Sequence, residues 1–400
     1  MSLKGHILCQ LGHDHVVLAP GRQDSVNTVE TAGSDGGRAR VIRIGGPASP
    51  YDASYHLLAR FDKIRAIVAR EKPDVLEIHS PYLAALGALR VSPHHYGIRT
   101  FQWHSDFIDT YAGVLAASVA GRSGPLGPSF ARVLGPATRP LWGLVRGIAR
   151  RCSATLVASQ WQVDKLTLHG VPRVRRVPFG IEHTIFQPSA RSRQARRELL
   201  ALAGRDANAE TTVLVGVGRF AVEKRWDVVI DAFLRIRSDP RVQQARDAIL
   251  VLFGDGPERD RMKARASHSA DVIMPGFVKD RKELARMLAS ADALVHGCPF
   301  ETFGLGIAEA MSCGVPCVVP DQGGAAEMYI PEACEKYISG DASACALAVL
   351  SLIDRLRTNA PAMRDAAANA ARKLPSVREQ FERQMALYDE LTRGICRRGP

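Results

Sequence analysis

The sequence predicts an α/β protein made of two doubly wound halves that face each other, and three observations carry this. Short apolar runs of strand length alternate with helix-length segments, and the alternation stops and restarts around a polar, Arg- and Ala-rich stretch at residues 186–208. Polar residues gather where the runs end, and the carboxyl edge of an open parallel sheet is where such sheets bind ligands. The 400 residues, 46% hydrophobic and 24% charged, suffice for two domains with separate cores.

In the first half, His13 to Pro20 and Arg40 to Ile44 read as strands, and Tyr55 to Arg70 has helical periodicity. Val75 to His79 and Thr100 to Trp103 are further strands, the second running into His104-Ser-Asp106. After a helical region to about Arg151 come strand Ala154 to Ala158, helix Trp161 to His169 and strand Val174 to Pro178. The second half repeats the scheme. Strand Thr212 to Gly218 precedes helix Glu223 to Arg237, and strand Ile249 to Phe253 ends in Gly254-Asp-Gly-Pro257. Helix Glu258 to Ala266, strand Val272 to Met274 and helix Asp280 to Leu288 follow, the last opening with the capping-box spacing Asp280/Glu283. Strand Ala293 to His296 leads into the loop before helix Ile307 to Met311 and strand Val315 to Val319. Residues 1–185 form the first domain and 186–372 the second; 373–400 carry a helix, Val377 to Arg393, long enough to pack back across both halves.

Net charge is +12 and unevenly spread. Between Arg122 and Arg176 lie ten basic residues and one acid, Asp164, as suits an anionic surface. Within it Leu141, Trp142, Leu144, Val145 and Ile148 can form the apolar face of an interfacial helix edged by Arg146, Arg150 and Arg151, or can pack on their own domain. Nucleic acid is disfavoured: aromatic residues are 6% of the chain and none interleaves with these arginines for stacking. The apolar run Ala344 to Ile353 is too short to span a bilayer, and Met1 to His6 lacks the core of a signal peptide, so the expected location is the cytoplasm, with peripheral contact to the inner face of the membrane. Eight cysteines without a C-x-x-C pair suggest reduced thiols and no zinc site.

The stretch Pro299 to Tyr329 places Glu301 and Glu309 eight residues apart, with Gly304 and Gly306 between them and a helix following. Flexible backbone at a helix start offers unpaired N–H groups and the positive dipole end to a phosphate. The carboxylates accept only, so they require a hydroxyl-rich partner, and a nucleotide sugar supplies both kinds of group. A dinucleotide loop fits less well, because Glu309 stands where the third glycine of G-x-G-x-x-G belongs. At the end of strand Thr212 to Gly218, Arg219 and Lys224 are two cations five residues apart that can hold a leaving diphosphate.

Gly218-Arg-Phe-Ala-Val-Glu-Lys224, Gly254-Asp-Gly-Pro257, Pro275-Gly-Phe277 and Glu301-x7-Glu309, in this order, resemble retaining glycosyltransferases of family 4 from about Val75 onward. The resemblance implies the GT-B architecture, two Rossmann-like domains about a cleft. It implies that Arg219 and Lys224 contact the diphosphate beside Gly218, that Glu301 holds donor-sugar hydroxyls and that Glu309 binds the ribose. Phosphate would meet the N–H groups near Gly304 and Leu305, next to Phe303, while Phe277 and Val278 would line the base pocket. His104 matches a histidine that lies beside the donor sugar from the opposite domain, and the adjoining Asp106 supports that role.

On this resemblance the enzyme moves a hexose from a donor such as GDP-mannose or UDP-glucose to a lipid or glycan acceptor with retention, on one face, the departing phosphate taking the acceptor's proton. There is no Asp-x-Asp to carry a metal–diphosphate complex, so no cofactor and no metal are expected. Only Met1 to Gln10 precede the segment Leu11 to His15, where family members usually have a strand, a glycine-rich loop and a long helix; a shortened N-terminus with an unpaired sheet edge is therefore expected. A sugar-nucleotide epimerase and a non-catalytic nucleotide-sugar binder are the other readings.

Overall fold

The computed structural model describes residues 3–29, 37–48, 56–79, 81–110, 128–206, 211–238 and 247–396. Thirteen strands among them form three sheets. Strands β1 (His15–Gly21), β2 (Ser25–Val29) and β3 (Ala39–Gly45) lie in the order β1-β3-β2, with β1 parallel and β2 antiparallel to β3. Strands β4 (Val75–Ile78), β5 (Ile98–Gln102), β6 (Ala154–Val157) and β7 (Val174–Arg176) form a parallel sheet in sequence order. Strands β8 (Thr212–Val217), β9 (Ala248–Phe253), β10 (Val272–Gly276), β11 (Ala293–Val295), β12 (Cys317–Pro320) and β13 (Cys334–Tyr337) form the third, parallel throughout, in the order β10-β9-β8-β11-β12-β13.

The third sheet is buried on both faces, which is why its strands read as continuous apolar runs such as Ala-Ile-Leu-Val-Leu-Phe in β9. Period-two alternation divides them: Val213, Val215, Val251 and Phe253 enter one core with helices Arg193–Ala201, Arg281–Ala289 and Leu305–Ser312. Leu214, Leu250 and Leu252 enter the other with helices Trp226–Ser238 and Ala342–Ala371. The helix Val377–Cys396 lies on the N-terminal half, with Tyr388, Met385 and Leu391 against Ile98, Ala154 and Leu156, and Phe381 against Ile7 and Leu8.

Several elements depart from the expectations. Residues Leu3–Gln10 form a helix, and β2 is an additional edge strand, Ser-Val-Asn-Thr-Val, whose solvent-exposed residues lack an apolar pattern. Among the described residues β1 is an edge of the first sheet and β4 an edge of the second, each paired on one side only; Leu18 and Leu76, one from each strand, meet in the same small core with Ile64 and Val68. The apolar run at Ala344 to Ile353 belongs to a helix, Ala342–Ala371, kinked at Asn359 two residues before Pro361. The helix after β8 begins at Trp226 rather than Glu223, because Val222–Lys224 form a 3₁₀ turn closed by Arg225 in the left-handed conformation.

Three strand ends are tied together at Gly254. Its N–H donates to the Gly276 carbonyl at 2.9 Å, while the Gly218 N–H donates to the Phe253 carbonyl at 3.0 Å. Gly254 has φ +148°, and a Cβ on it would lie 1.9 Å from the Gly218 oxygen. Gly254→Ala therefore forces β8 and β9 apart, and the expected result is a loss of at least about 2 kcal/mol, read as a lowered Tm. An unchanged Tm would contradict this packing.

Candidate functional site

In the third sheet the chain runs from β8 outward to β10, then returns to β11 on the other side of β8. The order reverses between β8 and β11, and ligands of open parallel sheets bind in the crevice outside such a pair. Two loops meet there. Arg219 follows β8 on an exposed turn held by Trp226, whose indole N–H donates to the Arg219 carbonyl at 3.0 Å. Gly297 follows β11, and a Cβ there would lie 2.6 Å from the Lys224 carbonyl, so glycine is what lets the loops touch.

The result is an ion pair: Lys224 Nζ lies 2.7 Å from Glu301 Oε2, with His296 Nε2 3.3 Å from the same oxygen. Burial alone would raise the Glu301 carboxyl, but Lys224 and His296 outweigh it and hold the group below the ordinary carboxylate range. Burial likewise pulls Lys224 down, and the surrounding negative groups, Glu301 among them, reverse this and hold it above its ordinary value. The hydroxyl-rich partner expected for Glu301 is joined here by a cation, Lys224. His296, Cys298 and Glu301 are the one His/Cys/carboxylate cluster among the described residues. It suits a metal poorly, since Lys224 occupies the carboxylate and burial pushes the Cys298 thiol up to about 12.

Beyond this pair the helix Leu305–Ser312 starts at Gly304, which has φ +93°. Its first N–H groups, at Leu305 and Gly306, have no intrahelical acceptor, as at any helix start. Glu309 is only 4% exposed, and its Oε1 meets Arg281 at 2.7 Å. Arg281 also pairs with Glu182 and stacks over the Phe186 ring at 4.9 Å. Burial raises the Glu309 carboxyl despite Arg281. So Glu309, like Glu301, already has a cationic partner. Phe277, after β10, is 73% exposed with the half-buried Val278 beside it. Phe303 is buried, and its ring packs edge-on against Phe179 of the N-terminal half at 5.5 Å.

That contact brings the N-terminal half to the site. His104 stacks on Phe179 at 5.8 Å, and Thr302 Oγ1 donates to the His104 carbonyl at 3.2 Å, so His104 and Glu301 approach through adjoining residues. A cavity of about 340 Å³ opens beside His104, walled by Lys4, His79, Gln102, Trp103, Phe179 and Gln384 among others. Asp106 does not share it. Its side chain is fully buried and paired with Lys165, which also holds Asp109. The adjacency of Asp106 to His104 in sequence is therefore not adjacency in space.

The basic stretch is likewise partly internal. Trp142, Val145 and Ile148 are buried in the N-terminal core, leaving Leu141 and Leu144 of the expected apolar face exposed. Arg173 caps the helix Pro128–Arg150 through the carbonyls of Ala149, Arg150 and Cys152, and Arg146 donates to the His169 carbonyl. Arg122 and Tyr111 lie outside the described residues. Arg281 and His296 are the site residues that sequence reasoning missed. The signal for His296 was its position at the end of β11, and that for Arg281 its place directly after the helix cap Asp280.

Comparison with known proteins agrees with this geometry. Residues 6–184 match the family described as Glycosyltransferase Family 4, and residues 203–374 match Glycosyl transferases group 1. The chain is 28% identical over 340 residues to a GDP-mannose-dependent alpha-(1-6)-phosphatidylinositol dimannoside mannosyltransferase of Mycobacterium tuberculosis, covering 84% of this chain and 76% of that one. It is 29% identical over 353 residues to a GDP-mannose-dependent alpha-mannosyltransferase of Mycolicibacterium smegmatis, covering 88% and 83%. Its fold superposes on a sucrose-phosphate synthase from Thermosynechococcus elongatus with a TM-score of 0.72 at 19% identity, covering 98% and 92%. No helix among the described residues is long and apolar enough to cross a membrane.

The buried Asp106 gives a pH signature. Burial, with Asp109 adding to it against the pull of Lys165, raises its carboxyl to about 6. A carboxyl raised in the fold favours folding below its unfolded value and loses that contribution as pH rises through the folded one. Asp106→Asn should therefore gain in Tm relative to the parent protein between about pH 4 and 7. A difference that stays flat with pH would contradict the assignment.

Proposed function

Because this chain belongs to the family 4 glycosyltransferases, enzymes with two Rossmann-like domains, we propose that it transfers mannose from GDP-mannose to a lipid-linked or glycan acceptor with retention and without a metal. The observation that carries the donor site is the Lys224–Glu301 pair at the reversal of strand order, with His104 reaching it from the other half. The nucleotide comes from the two mannosyltransferase relatives, each named as GDP-mannose-dependent.

In this reading Arg219 and Lys224 hold the diphosphate, Gly218 leaves room for it, and the N–H groups of Leu305 and Gly306 meet the distal phosphate. Lys224 then exchanges Glu301 for phosphate oxygens, which frees the carboxylate to accept from sugar hydroxyls. Arg281 keeps Glu309 oriented for the ribose, and Phe277 with Val278 offers an apolar face to the base. His104 meets the sugar from the opposite side. The C1–phosphate bond breaks as the acceptor oxygen bonds to C1 on the same face, and the acceptor's proton passes to the departing phosphate, so no protein base is consumed. The acceptor enters from the N-terminal half, taken as residues 1–185, and the donor domain spans 186–372. Leu141 and Leu144 are exposed on the helix Pro128–Arg150, which also carries the exposed Arg139 and Arg150, and this segment is the surface for peripheral contact with an anionic cytoplasmic leaflet. No nucleic acid is involved.

Thermal unfolding in chelator with GDP, GDP-mannose, UDP and UDP-glucose tests the donor site. The expected result is a Tm rise with the guanine ligands, lost in Lys224→Ala, whose turnover falls by about a hundred- to a thousand-fold. A rise confined to uridine ligands, or activity abolished by chelator, would overturn the reading.

A further inference from the structure

Behind His104 lies a half-buried carboxylate that the donor site does not use. Glu77, near the end of β4, accepts from His79 Nε2 at 2.7 Å, Tyr388 Oη at 2.6 Å and Gln384 Nε2 at 3.0 Å, and it pairs with Lys4. Tyr388 itself accepts from Gln102 Nε2 at 2.8 Å. The groups that meet Glu77 come from the first helix, the residue just after β4 and the last helix, so the carboxylate is fixed from several sides. His79 passes the chain onward. Its Nδ1 lies 2.8 Å from His104 Nε2, and the two rings stack at 5.0 Å.

We propose that Glu77, acting through His79, is the positioning residue that fixes His104 as the neutral tautomer with its proton on Nε2 and a bare Nδ1 for a substrate hydroxyl. The assignment follows from donor and acceptor chemistry. An ionised carboxylate only accepts, so His79 must carry its proton on Nε2. With His79 neutral, its one N–H is the Nε2–H that meets Glu77, which leaves Nδ1 as an acceptor and makes His104 Nε2 the donor. The reverse arrangement would offer the substrate an N–H from His104 and abolish its capacity to accept. The charged and titratable groups around the relay are Lys4 on the first helix, His15 on β1, Glu77 on β4 with His79 just after it, and Tyr388 on the last helix. Burial raises the Glu77 carboxyl, and Lys4 and His79 outweigh it, keeping it ionised. Burial is the largest cause that lowers His104, to about 4, and keeps it neutral.

The tautomer stands independently of the transferase reading; only the kinetic consequence rests on it. Long-range ¹H–¹⁵N spectra of ¹⁵N-histidine-labelled protein should show His104 protonated on Nε2 in the parent and a mixture in His79→Phe, which keeps the ring stack and leaves Glu77 and Lys4 paired. Glu77→Gln should mix the tautomers of both histidines. Turnover of GDP-mannose in His79→Phe should fall about 10- to 100-fold, the range for partners that orient a functional histidine. The donor KM and the Tm should hold. A proton on His104 Nδ1 in the parent, or unchanged tautomer or turnover in His79→Phe, would overturn the proposal. A parent without turnover would count against the transferase reading, while the spectra still decide the tautomer.

Discussion

A lysine and a glutamate brought together between two strand ends, Lys224 and Glu301, are the constraint around which the site is arranged. Burying two charges costs free energy that their attraction recovers only with close geometry and further polar contacts. The 2.7 Å pair has that geometry, with His296 as a third member. The geometry depends in turn on backbone detail: the 3₁₀ turn ending at Arg225, and a glycine at 297 that lets the β11 loop lie on that turn. A cation ready for phosphate and an acceptor ready for hydroxyls are thus stored against each other, and a diphosphate sugar is a ligand that can satisfy both at once.

The loop bearing Glu301 is also a contact between the two halves. Its neighbour Thr302 bonds the His104 carbonyl, and Phe303 meets Phe179. Behind the loop, the Gly324 N–H donates to the Glu301 carbonyl at 2.7 Å, and a Cβ at Gly324 would lie 2.7 Å from the Phe303 nitrogen. Four residues after Gly323, Glu327 accepts from the Gln160 N–H at 3.2 Å and from the Trp161 N–H, satisfying the start of the helix Gln160–Leu168 in the other half. The backbone around Glu301 therefore cannot shift without disturbing how the halves meet, which ties the Glu301 loop to the position of His104.

Much of this was legible in the sequence, for identifiable reasons. Strands buried on both faces announce themselves by unbroken apolar runs, and a parallel sheet puts its ligand groups at strand ends, so β8 with Arg219 and β11 with Glu301 could be read directly. β2 could not, because a solvated edge strand carries little apolar pattern. Pairing was the harder matter. That Glu301 and Glu309 face Lys224 and Arg281 follows from loop packing and from helix position, which spacing does not encode. Asp106 illustrates the opposite error: two residues from His104 along a chain leaving a strand end, it points into the core toward Lys165. Trp142, Val145 and Ile148 were visible as an apolar stripe, but periodicity does not say whether such a stripe meets a membrane or the protein's own interior.

The stereochemistry of the product tests the account most directly. GDP-α-mannose labelled with ¹³C at C1, incubated with the protein and a panel of lipid-linked and glycan acceptors in chelator, gives a new anomeric carbon whose one-bond carbon–proton coupling distinguishes α from β. An α-linked product is the prediction of same-face transfer organised by Lys224 and Glu301. A β-linked product would contradict it, since attack on the opposite face inverts C1.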